Sequence, residues 1–149
     1  ILSKTRRKEF AKRYDALAKI LAFNEDKSKR NYQSAVEYFG RAIEINAMDE
    51  NEEENLQFNL GKAYYEWNRY SDAIREFEKF NKKFKTSSKM DESLIYLGLS
   101  YLKTYNQGEA RKSFKTILDK YSSSKLIVKA LYYLAKTYSF ENTLNMMDF

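Results

Sequence analysis

The sequence contains no cysteine, no histidine and no proline, and only four glycines, at Gly40, Gly61, Gly98 and Gly108. Without cysteine there is no disulfide and no thiol nucleophile. Without histidine the commonest general base is missing, and so are zinc sites of the Cys/His type. A chain lacking thiols is indifferent to redox, so its compartment stays open. Sandwiches and barrels need many tight turns, usually marked by glycine and proline, so helices are favoured instead. No apolar run approaches the roughly 18 residues of a membrane span. The Asp, Glu, Lys, Ser and Tyr that remain form no catalytic motif at a useful spacing. The expectation is therefore a non-catalytic protein with no cofactor and no metal.

What is present suits one globular domain, residues 1–149, with 43% hydrophobic and 32% charged residues. Tyrosine is abundant, at thirteen residues. Charge is uneven: residues 1–30 hold ten Lys/Arg against four Asp/Glu, a net of +6, whereas the other 119 residues hold seventeen of each. The sequence opens on Ile1 and not on methionine, so it reads as a fragment, and any signal peptide or lipid-accepting cysteine upstream would lie outside it.

The chain repeats itself. Leu60-Gly61-Lys62-Ala63-Tyr64 returns as Leu97-Gly98-Leu99-Ser100-Tyr101, a step of 37 residues, and again as Leu134-Ala135-Lys136-Thr137-Tyr138. Tyr70, Ala73, Phe77 and Phe80 return as Gln107, Ala110, Phe114 and Ile117, with an earlier copy at Tyr32, Ala35, Phe39 and Ala42. Steps of three and four place each set on one helix face. The small residues predict close approach of two backbones, with the large rings filling the space beside them. Each unit reads as a helix hairpin that needs neighbours to cover its apolar faces.

The set Leu60, Gly61, Tyr64, Ala73, Phe77, matched by Leu97, Gly98, Tyr101, Ala110, Phe114, resembles the tetratricopeptide repeat signature. Gln57 stands where that signature has tryptophan, and its terminal proline is missing, with Lys85 and Ser122 in its place. The resemblance implies an all-α fold, a right-handed α-solenoid of antiparallel hairpins with about 3 to 3.5 repeats. The repeats fall at about 5–49, 54–89 and 91–124, with a partial one at 128–149. The long spacing and the joints Phe84–Ser88 and Tyr121–Ser124 are similar to those of bacterial cell-envelope repeat proteins, such as the β-barrel assembly lipoprotein and the periplasmic partner of the Tol–Pal system. That likeness implies a periplasmic or outer-membrane-associated protein, peripheral through an unseen lipid anchor, with a cytoplasmic location as the alternative.

Helices are expected at about 5–23, 32–46, 54–67, 70–84, 90–104, 107–121 and 125–140. The tail from Glu141 would begin another second helix, with Leu144 and Met147 in register with Gln107 and Ala110. Asn24–Asn31 reads as a projecting polar loop. The acidic run Asp49–Glu54 lies in a linker beside the next helix N-terminus, where its carboxylates favour the dipole.

In the repeat class that the chain resembles, the first helix of each hairpin lines a concave groove. Carrying its groove positions onto the frame of Gly61, Gly98 and Ala135 gives Asn55, Phe58, Asn59, Lys62, Tyr65 and Glu66. The next unit gives Glu92, Ile95, Tyr96, Leu99, Leu102 and Lys103, and the last gives Lys129, Tyr132, Tyr133, Lys136 and Phe140. Phe58, Tyr65, Ile95, Tyr96, Leu99, Leu102, Tyr132 and Tyr133 would form a tyrosine-rich trough for a partner protein or peptide. The alternative places several of them in packing between hairpins. A carboxylate clamp of the cochaperone type is not supported, because Asn59 alone matches it and Tyr96 and Tyr133 fill the next two positions. The basic N-terminal helix reads as a solvated or capping face, a dock for an acidic partner or anionic lipid, or, least, a nucleic-acid contact. A structural module that stacks on further repeats or self-associates is the competing role.

Overall fold

The computed structural model describes residues 2–45 and 47–147, with side chains as far as Ser139. Among the described residues there are seven α-helices and no strand, as expected. They are α1 (Lys4–Phe23), α2 (Tyr32–Ile45), α3 (Glu50–Glu66), α4 (Tyr70–Lys83), α5 (Met90–Lys103), α6 (Gln107–Lys120) and α7 (Ile127–Met147). No described helix is long and apolar enough to cross a membrane. The chain forms two compact units, residues 1–84 with α1 to α4 and residues 85–149 with α5 to α7.

In the first unit α1 packs on α2, α2 on α3 and α3 on α4. Ala11, Ala18 and Ala22 of α1 meet Ala35, Phe39 and Ala42 of α2, and Leu56, Leu60 and Ala63 of α3 close the same cluster. In the second unit Met90, Leu94 and Ile95 of α5 join Ala110, Phe114 and Ile117 of α6, with Ala130 of α7. Phe39, Phe77 and Phe114, one per hairpin, are fully buried. Each such ring contributes about 1.5–3 kcal/mol through the apolar area it removes from water.

The glycines are small for a reason other than backbone contact. A Cβ on Gly61 would lie 3.0 Å from the Phe77 ring, and one on Gly98 would lie 2.6 Å from the Phe114 ring. The aromatic ring of the second helix sits on the glycine of the first, so side chain meets backbone. The same correspondence reaches the turns: Asn68 and Tyr105, 37 residues apart, both adopt φ 61°. The next amide closes each turn in the same way, Arg69 N–H on the Tyr64 carbonyl at 2.9 Å and Asn106 N–H on the Tyr101 carbonyl at 2.8 Å.

Three expectations change. The helix anticipated from residue 54 begins at Glu50, because Asp49 caps it and exchanges hydrogen bonds with Glu52 in a complete capping box. The loop at Asn24–Asn31 is tied back rather than projecting. It holds a 3₁₀ turn at Lys27–Lys29, and the Arg30 guanidinium donates to the Asn24 carbonyl at 2.7 Å and the Tyr32 hydroxyl at 3.1 Å. Where a new helix was expected after Glu141, α7 continues to Met147. The side chains of Phe140, Leu144 and Met147 lie outside the described residues.

Candidate partner-binding surfaces

Gly61, Gly98 and Ala135 mark one position on α3, α5 and α7, and the groove candidates sort by distance from it. Three residues earlier stand Phe58, Ile95 and Tyr132. Phe58 is 4% exposed and Ile95 2%, so both side chains stand in the core and not along an open groove, with only an edge of Ile95 reaching the surface. The Phe58 ring packs edge-on against Phe77 at 5.8 Å and Phe80 at 5.6 Å. This position faces the second helix of its own hairpin. Tyr132 occupies the same position on α7, yet it is 55% exposed.

Two residues before the small position stand Asn59, Tyr96 and Tyr133, all half-buried, and one after it Lys62, Leu99 and Lys136. Tyr133 stacks on Phe114 at 5.7 Å, so its ring holds α7 to α6. Leu99 and Leu102 rest against the core of the second unit. Tyr65 packs edge-on against Tyr70 at 5.5 Å. Lys136 places its ammonium 5.0 Å from the Tyr132 ring.

In the first unit Lys62 sits 5.1 Å over the Phe23 ring, and Arg30 approaches Glu66 at 3.7 Å. Asn55, another groove candidate, turns back to the Asn51 carbonyl at 2.9 Å. Nearby, Lys12 and Lys8 of α1 reach Glu52 of α3 at 3.0 and 3.3 Å, and Lys8 also reaches Asp49 at 3.4 Å. The Lys12 ammonium, helped by the Asp49 backbone N–H and by Lys8, holds the Glu52 carboxyl down to about 2 against the desolvation that opposes it.

The second unit holds a cleft of about 330 Å³ between the first turns of α5 and α7. Asp91, Glu92, Ile95 and Tyr96 line one side, and Lys125, Leu126 and Lys129 the other. Of the predicted groove residues, Glu92, Tyr96 and Lys129 meet here, with a sliver of Ile95. Asp91 and Glu92 lie in the first turn of α5, where negative charge complements the helix dipole. Asp91 accepts a hydrogen bond from the Ser124 hydroxyl, and Ser124 Oγ accepts one from the Leu126 amide at 3.0 Å, fixing the start of α7. The cleft thus has an acidic wall, a basic wall and apolar surface from Ile95 and Leu126. Such a pattern can orient an extended polar segment while desolvating one side chain.

Asp91, Lys125 and Leu126 were not among the sequence candidates. The signal for Lys125 and Leu126 was the Ser-rich joint before residue 125, which read as a connection and not as a wall. The Gln57 at the signature tryptophan position was also unexplained by sequence. It donates to the Glu76 carboxylate at 2.8 Å and the Glu76 carbonyl at 3.1 Å, satisfying a carboxylate that is 5% exposed.

A family model described as tetratricopeptide repeat matches residues 56–87 and 92–124. These stretches cover α3 with α4 and α5 with α6, the two hairpins in which a phenylalanine ring covers a glycine. No curated protein matches the chain.

Proposed function

We propose, with two tetratricopeptide repeats as the premise, that the chain is a non-catalytic scaffold that holds a partner protein or peptide on the first helices of its hairpins. Repeats of this family are generally protein–protein interaction modules. The observation that carries the reading is the α5/α7 cleft, where Glu92, Tyr96 and Lys129 meet at a surface with opposed charges and an apolar floor. Tyrosine there offers area and a hydroxyl at small entropic cost. The 37-residue step and the joints at Phe84–Ser88 and Tyr121–Ser124 support placing this scaffold in a bacterial cell-envelope complex, periplasmic or outer-membrane-associated. Recovery of the native protein in the cytoplasmic fraction would overturn that placement.

The test is affinity capture with the intact chain and with Tyr96→Ala combined with Lys129→Glu. Tyr133 is left alone because it supports Phe114. A partner recovered by the wild type and lost from a variant of unchanged circular dichroism is the expected outcome. Undiminished recovery by the variant would remove the cleft from the proposal.

A further inference from the structure

The walls of the α5/α7 cleft carry their charges differently from the helices of the first unit. There, opposite charges on neighbouring helices close on each other: Lys12 of α1 reaches Glu52 of α3 at 3.0 Å, and Lys83 of α4 pairs with Glu53 of α3. In the cleft two carboxylates, Asp91 and Glu92, stand opposite two ammonium groups, Lys125 and Lys129. Among the described residues none of these four joins an ion pair. Asp91 is already committed. Its Oδ1 accepts from the Glu92 backbone N–H at 2.8 Å, and its Oδ2 accepts from the Ser124 hydroxyl. Ser124 Oγ in turn holds the Leu126 amide, so the start of α7 is anchored to α5 through a hydroxyl and not through Lys125. Glu92, Lys125 and Lys129 are left as charges without an opposite charge of the protein, around the apolar surface of Leu126.

The sign of the basic wall runs against its own helix. Helices α3, α4, α5 and α6 each have an acidic residue in the first turn, where it complements the dipole. Helix α7 has none; Lys129 stands in its first turn and Lys125 just ahead of it. Lys129 follows Glu92 by 37 residues, so one repeat position holds a carboxylate on α5 and an ammonium on α7. Positive charge at a helix N-terminus opposes the dipole. A local rule broken with no compensation inside the fold is expected where a surface serves a ligand. An anion held by Lys125 and Lys129 restores the sign that the dipole favours.

We propose that the cleft takes an extended segment of a partner protein in which an acidic and a basic side chain flank an apolar one. The inference rests on the reading of this cleft as the partner-binding site and adds the chemistry of its occupant. The acid meets Lys125 and Lys129, the base meets Glu92, and the apolar side chain covers Leu126. Alternate side chains of an extended strand project to one face, so the three stand at every second position. A uniformly acidic segment would bring its second carboxylate against Glu92, and a uniformly basic one its second cation against the lysines. Charge complementarity selects against both.

Three labelled peptides of serine and glycine test it. Each has a central leucine with a charged residue two places to either side: glutamate and arginine, two glutamates, or two arginines. Titrated against the intact 149-residue chain and followed by fluorescence anisotropy at low salt, the mixed peptide binds saturably. It binds about tenfold or more tightly than either uniform peptide. Glu92→Lys transfers the preference to the two-glutamate peptide, and Lys125→Glu with Lys129→Glu transfers it to the two-arginine peptide. Serine in place of the central leucine weakens the mixed peptide several-fold. Lys129→Glu alone raises the melting temperature, because it gives α7 the first-turn charge its dipole favours, so its loss of binding is not loss of fold. No binding of the mixed peptide up to about 1 mM, or preferences that ignore the charge of the walls, overturns the proposal. If a captured partner is nonetheless lost from the Tyr96→Ala, Lys129→Glu variant, the cleft stands as the binding site and only the dipolar segment falls. Binding by the 149-residue chain but not by the protein at its native length places a segment of the same chain in the cleft and overturns the partner. Sedimentation that shows self-association abolished by Glu92→Lys overturns it in favour of a second copy.

Discussion

Of the four glycines Gly98 is the most closely covered, the Phe114 ring lying 2.6 Å from where a methyl group would stand. Gly98→Ala would gain about 1 kcal/mol in helix propensity, but overpacking a fully buried ring costs about 1–3 kcal/mol. We expect a net fall in thermal stability. Gly61→Ala, where the ring is 3.0 Å away, should lose clearly less, and an equal loss in the two variants would contradict the ring-on-glycine account. Gln57→Ala strands the buried Glu76 carboxylate with Arg75 at 3.1 Å and Lys79 at 3.2 Å as its remaining partners. Removal of a hydrogen bond to a buried charged group costs about 1–3 kcal/mol, measurable as a drop in the urea midpoint. The spacing of Gly61, Gly98 and Ala135 was readable because period survives any packing detail. The identity of the neighbour at each glycine was not, since it depends on the angle at which two helices cross. Phe58 and Ile95 went to the groove because a family frame was carried over. Their own chemistry pointed to the core, as both are large and apolar where Asn59 stands one residue later.

At the scale of elements, the ends of helices decide two outcomes. Asp49-Glu50-Asn51-Glu52 is a capping box in plain sequence, yet its charge density read as linker, which cost α3 its first turn. Glu52 then ties α3 to α1 through Lys12 and Lys8. Its folded pKa of about 2 lies below the ordinary glutamate value of 4.5. The stabilisation is therefore complete above the unfolded value and is lost as pH falls from there toward 2. Glu52→Gln should lower the melting temperature at neutral pH and converge with the wild type near pH 2; a constant gap down to that pH would rule the linkage out. At the other end of a hairpin, Tyr105 holds φ 61° while 79% exposed. A left-handed conformation costs a non-glycine residue about 1–2 kcal/mol. Tyr105→Gly should raise the melting temperature through relief of that cost, offset partly by unfolded-chain entropy. The corresponding Asn68, a residue type that tolerates this region, should gain less from the same change.

At the scale of the whole molecule, each compact unit has its own apolar cluster. Residues 1–84, expressed alone, should unfold cooperatively with retained helical circular dichroism, and a featureless spectrum would show that their core is insufficient. The all-helical class and the hairpin order were legible because absence of proline and the three-and-four periodicity leave little else. The exposure of Tyr132 on α7 was not legible, because it is aromatic like Phe58 and only the covering helix tells the two apart. Likewise the +6 charge of residues 1–30 was visible, but its partial neutralisation by Glu52 and Asp49 required the fold.

Every hairpin is built from helices that follow one another in the chain, and the ring that seals Gly98 comes from Phe114, sixteen residues on. Closing so short a loop demands little ordering before the contact rewards it. Such topology is associated with folding in microseconds to milliseconds. A single hairpin can serve as the nucleus from which its neighbour grows, and the rate should respond to Phe114→Leu more than to any change in the connections.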